Sequence, residues 1–140
     1  MSRTELREHI FKILFRVGFH DEKEMSEQEQ LYFAVPSSDK EEPLKEASTE
    51  EQEYILTKYR AIVEKLPEID ELLNALSTGW KTSRMNRVDL TILRLATYEI
   101  KWDADIPTGV AINEAVELAK KYSSDSGPAF VNGVLAKLAN

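Results

Sequence analysis

The stretch VDLTILRLATYEI, residues 88–100, decides the fold. Val88, Ile92, Leu95, Ala96 and Glu99 fall on one face of a 3.6-residue period, while Leu90, Leu93 and Ile100 line other faces. A helix that is apolar nearly all round needs cover on several sides. This segment is therefore expected to be a central helix, and the flanking chain has to supply helices that enclose it.

Downstream, Ile106-Pro107-Thr108-Gly109 reads as a loop. Ala111, Ala115, Leu118, Ala119 and Tyr122 then form a helical stripe of small residues that lets a neighbouring helix come close. Ser123 to Gly127 reads as a turn. Pro128 suits a first helical turn, and Phe130, Val131, Val134, Leu135 and Leu138 make the last stripe. Gly133 inside that helix costs about 1 kcal/mol relative to alanine, and close contact with another helix backbone is the expected reason for it.

Upstream, Ser48 followed by Glu51 has the form of a capping box and predicts a helix from Ser48 or Thr49. Its apolar positions are Tyr54, Ile55, Ile62, Val63 and Leu66. Pro67 is placed in the first turn of the next helix, which carries Ile69, Leu72, Leu73 and Leu76 and closes at Thr78-Gly79. Residues 5–18 read as an amphipathic helix with Leu6, Ile10, Ile13, Leu14 and Val17 as its stripe and Gly18 as its stop. Residues 21–47 read as an irregular, acidic, mobile connection, with a short helix allowed over Gln28–Val35. No segment sustains a period of two. The expected fold is all-α in a single domain, with an N-terminal helical half over 1–79 and a C-terminal half over 80–140.

Composition narrows the function. The 140 residues carry a net charge of −7, with 5 glycines, 5 prolines and no cysteine. Without cysteine there is no disulfide framework, thiolate nucleophile or cysteine-based zinc site. No apolar run reaches the ~18 residues of a membrane span, and the N-terminus lacks the zones of a signal peptide. A soluble, cytoplasmic chain without membrane association is the expectation. Residues 21–53 hold 12 acidic side chains against three lysines, while residues 1–20 are net basic. An acidic balance argues against unselective coating of nucleic acid and leaves room for a local basic surface.

Catalysis finds little support. The only histidines are His9, on the polar side of the first helix, and His20, just past its end. Neither stands in a triad-like arrangement, and no phosphate-binding loop or zinc-protease motif is present. Glu114 and Glu117 share a helix at a spacing that ordinarily marks a wetted face. No catalytic residue, metal or cofactor is expected.

The first helix is more informative. Arg3, Arg7, Phe11 and Phe15 recur every four residues, a ridge about 18 Å long on a helix. Guanidinium groups hold phosphates through paired hydrogen bonds, and exposed rings carry unstacked bases. On spacing alone, the ordinary alternative is that the phenylalanines widen the core stripe and the arginines are solvated. Lys120 and Lys121 likewise suit the end of their helix without any ligand.

The run Val88-Asp89 through Ile92-Leu93-Arg94-Leu95-Ala96, then Tyr98-Glu99 and Ile106-Pro107, is followed by VAINEAVELAKKY at 110–122 and FVNGVL at 130–135. Together these resemble the C-terminal half of the NusB transcription antitermination family. Arg7-Glu8 and Leu14-Phe15 extend the similarity to the first helix. It is dense over 80–138 and absent across 21–53.

The resemblance implies two small packed helical bundles with about six or seven helices. It implies a non-catalytic factor that pairs with a small-subunit ribosomal protein, NusE. The pair binds single-stranded boxA-type RNA and joins the antitermination complex of RNA polymerase, regulating termination and supporting ribosomal RNA synthesis. Carried over by position, RNA contacts fall on Arg3, Arg7, Lys12, Phe15, Lys120, Asp125, Ser126 and Phe130. Asp89 and Glu99 become candidates for the partner face. With the resemblance, the four-residue ridge is read as an outward-facing RNA surface.

Thr4, Glu5 and Leu6 interrupt the arginine-rich opening common in that family, which should lower RNA affinity and flatten its salt dependence. A helical interaction adaptor with little RNA affinity is therefore the alternative. A third reading is an RNA-targeting module like those fused to ribosomal RNA methyltransferases, needing a separate catalytic partner. An unoccupied aromatic ridge also leaves room for a homodimer in the free state.

Overall fold

The computed structural model describes residues 1–17, 47–76 and 81–140. Gly18, His20, residues 21–46 and the Thr78-Gly79 stop lie outside the described residues. Within them all regular structure is helical. In chain order the helices are α1 (Arg3–Val17), α2 (Thr49–Glu64), α3 (Leu66–Leu76), a 3-10 turn (Thr82–Arg84), α4 (Arg87–Trp102), α5 (Thr108–Tyr122) and α6 (Gly127–Ala139). They belong to two compact units, Met1–Val63 and Glu64–Asn140.

In the first unit, two reciprocal caps start the helices. The Glu51 backbone N–H donates to Ser48 Oγ at 3.2 Å and the Ser48 N–H donates to Glu51 Oε1 at 2.9 Å, the box read from the sequence. Ser2 and Glu5 form a second such box, at 3.1 and 3.3 Å, so α1 begins two residues earlier than its apolar stripe implies. The N-terminal ammonium also pairs with Glu51. That bond, followed by those from Ser48, lowers the Glu51 carboxyl from 4.5 to about 2. In α2 the buried positions are Ile55, Lys58, Tyr59 and Ile62. Tyr54, assigned to the stripe by sequence, is 47% exposed. It lies a full 100° step from Ile55, outside the face defined by 55, 59 and 62.

The second unit is built around α4, as the pattern at 88–100 requires. Leu90, Ile92, Leu93, Leu95, Ala96 and Thr97 are all buried, and α4 packs against α3, α5 and α6. Arg94 reaches from α4 to α3 with a two-pronged contact on Asp70, at 2.9 and 2.7 Å. Pro67 sits in the first turn of α3, as expected. The small stripe of α5 is buried at Ala111, Ala115 and Ala119, and α5 packs along α6. Pro107 is the N-cap of α5. Thr108 and Gly109 therefore belong to its first turn rather than to a loop, where their N–H groups lack helical partners in any case. On α6, Val131, Val134, Leu135 and Leu138 face inward, and Lys101 donates to the Leu138 carbonyl at 3.5 Å.

Gly133 departs from its sequence reading. It is exposed, and a Cβ built there meets nothing within 4 Å, so no helix backbone among the described residues explains it. Gly133→Ala is expected to raise unfolding stability by about 0.5–1 kcal/mol, read by urea or thermal unfolding. A loss of stability would show a contact at that position that the geometry does not contain.

Candidate nucleic-acid interface

The first group of candidates lies on α1, where exposure is set by position along the helix more than by face. Arg7, Glu8, His9, Ile10 and Phe11 are consecutive, and each is at most 7% exposed. Five successive residues cover every direction around a helix, so α1 is enclosed over this stretch. Buried charges require partners, and Arg7, Glu8 and His9 all have them. This corrects the ridge. Arg3 stands exposed at its start and Phe15 half-buried near its end, while Arg7 and Phe11 between them are interior. His9, expected on a polar side, is interior as well.

Lys12 is half-buried and Arg16 is exposed. The Phe15 ring stands 6.3 Å from that of Phe11 at an interplanar angle of 32°, so the buried ring backs the accessible one. Arg16 was not singled out from the sequence. Its place beside Phe15 and four residues after Lys12 was the available signal, and the cation also complements the end of the helix dipole.

The second group lies in the Glu64–Asn140 unit, at the end where α5 turns into α6. Lys120 is exposed in the last turn of α5 and holds Glu117 at 3.1 Å. Lys121 sits 5.4 Å from the centre of the Tyr122 ring. Asp125 and Ser126 are exposed on the connector, where Ser124 Oγ and Ser126 Oγ lie 3.3 Å apart. Phe130 is half-buried on the first turn of α6. The fold thus gathers Lys120, Asp125, Ser126 and Phe130 at one end of the unit, with a cation, hydroxyls and a partly open ring.

Asp89 and Glu99, read as partner-face candidates, are both buried, at 5% and 1% exposure. Asp89 occupies the first turn of α4 and is used internally. Its N–H donates to Asn86 Oδ1 at 2.8 Å, and Asn86 Nδ2 donates back to Asp89 Oδ2 at 2.8 Å. Ser123 Oγ, at the end of α5, donates to Asp89 Oδ1 at 2.5 Å. Gly127 closes over this contact, and a Cβ there would fall 2.0 Å from Ser123 Oγ and 3.2 Å from Asp89 Oδ1. Sequence reasoning took Ser123 and Gly127 only as parts of a turn. A glycine directly before Pro128 was the one signal that something approaches closely. Among the described residues, no group of three or more His, Asp or Glu side chains is arranged to hold a metal ion. No described helix is long and apolar enough to cross a membrane.

Phe11 and Phe15 should separate by experiment. Phe11→Ala is expected to cost about 3–5 kcal/mol of unfolding stability as a buried ring, and Phe15→Ala clearly less. Equal losses in chemical denaturation would show that both rings are sealed.

Comparison with known proteins agrees over the whole length. The family model described as NusB matches residues 4–140. The transcription antitermination protein NusB of Agathobacter rectalis is 54% identical over 139 residues, covering 99% of this chain and 100% of that protein. The solved NusB of T. maritima has a TM-score of 0.80 and 32% identity, covering 99% of this chain and 91% of its own. A crystal structure of antitermination factors NusB and NusE in complex with double-stranded RNA has a TM-score of 0.73 over 98% of this chain and 95% of that one. At 22% identity, the likeness to it is one of fold.

Proposed function

The chain belongs to the NusB family of transcription antitermination proteins, and we propose how its surfaces do that work. It binds boxA-type RNA as one half of a heterodimer with the ribosomal protein NusE, and the pair joins the antitermination complex of RNA polymerase in the cytoplasm. The protein acts by holding RNA and partner, not by catalysis.

The observation that carries this reading is the end of the second unit. There the exposed Lys120 and Ser126 and the half-open Phe130 ring fall within one helix–connector–helix junction. Cations attract the phosphate chain, hydroxyls hydrogen-bond to it, and an aromatic face stacks a splayed base. Arg3, Lys12 and Phe15 offer cations and a ring on α1.

The burial of Arg7 favours the adaptor alternative to a degree. With that guanidinium enclosed at 5% exposure, fewer cations meet phosphates. Fewer phosphate contacts mean a shallow salt dependence and RNA binding that relies on the partner.

A titration of short boxA-type single-stranded RNA, with and without NusE and at two salt concentrations, decides between the readings. Binding is expected with the partner present. The double variant Arg3→Ala with Phe15→Ala should lose about 2–4 kcal/mol, the worth of one phosphate contact and one stacked base. Absence of measurable binding even with the partner gives the adaptor reading, and binding indifferent to the double variant removes α1 from the RNA contact.

A further inference from the structure

We infer that Asp89 is a positioning residue for RNA binding: through Ser123 it fixes the α5–α6 connector that presents Asp125, Ser126 and Phe130. This rests on the reading of that junction as an RNA contact.

Geometry supplies the argument. Asp89 is held at its base by Asn86, whose side chain caps α4 and donates to Oδ2, so the carboxylate is oriented before it meets the connector. Its other oxygen receives the Ser123 hydroxyl, 34 residues further along the chain. Ser123 is also the C-cap of α5, its N–H donating to the Ala119 carbonyl at 2.8 Å. One side chain therefore ties the end of α5 to the start of α4. The connector then closes on itself, the Gly127 N–H donating to the Ser124 carbonyl at 2.9 Å and the Phe130 N–H to the Ser126 carbonyl at 3.1 Å.

Gly127 is needed at this place because any side chain would strike Ser123 Oγ and Cβ, at 2.0 and 2.5 Å. Neither Asp89 nor Gly127 reaches solvent appreciably. Both act on RNA only through the residues they place. A hydrogen bond from a hydroxyl to a buried carboxylate is stronger than a neutral one, and it removes connector conformations before binding rather than during it.

The test uses the full chain with its ribosomal partner and short boxA-type single-stranded RNA. Ser123→Ala removes the donor, and with it the atom nearest Gly127, while keeping the Ser123 Cβ that also borders that glycine. It is expected to raise the RNA dissociation constant about three- to tenfold with partner affinity unchanged, and to lower the melting temperature because the buried Asp89 Oδ1 loses its donor. Amide hydrogen exchange over 124–130 should speed up in the free variant. Gly127→Ala, which displaces Ser123 from the other side, should speed the same amides.

If wild type binds RNA and Ser123→Ala binds it equally well, the positioning role is overturned while the RNA-binding reading stands. If wild type binds no RNA even with the partner, that reading fails, and the role for Asp89 in RNA binding is overturned with it. Accelerated exchange over 124–130 would then leave only a structural tie.

Discussion

The enclosure of α4 sets the terms for the rest of the C-terminal unit. A helix that buries residues on nearly every face cannot leave any side open, so α3, α5 and α6 must each present a matched apolar stripe to it. The small residues of α5 let it approach, and the Arg94–Asp70 pair fixes α3 at one edge. Once α4 is surrounded, its polar groups have two choices, to be paired inside or to be costly. Asp89 is paired, and its pairing reaches the loop where the candidate RNA contacts gather. Core packing and the candidate working surface are thus joined through one carboxylate.

The first unit obeys a different constraint. Its opening helix begins with a cap and ends with one exposed cation, Arg16, but its middle is sealed with Arg7, Glu8 and His9 inside. Charged groups buried in this way add little net stability even when paired, because desolvation offsets the attraction. What α1 offers to a ligand is therefore concentrated at Arg3 and around Phe15, not spread along a continuous ridge.

The sequence made the helices legible because their determinants are local. Periodicity located α4, α5 and α6, and Ser48 with Glu51 marked the start of α2 through bonds that span three residues. The Ser2–Glu5 box was equally local and was passed over because the apolar stripe starts later. Burial of polar groups is not local. Arg7, His9 and Asp89 look like surface residues by type and are nevertheless buried, whereas Glu99 already shares the apolar face of its helix. Gly133 shows the converse, since a glycine in a helix suggests a close neighbour and the described residues provide none. The family motifs identified the relatives, but they could not say which motif residues face water.

Photo-crosslinking tests the central claim most directly, that RNA is met at the half-open rings of both units. With the heterodimer assembled on boxA-type RNA, ultraviolet crosslinks read by mass spectrometry should map to peptides containing Phe15 and Phe130. Crosslinks confined to other peptides, in a complex shown to be intact, would contradict the account.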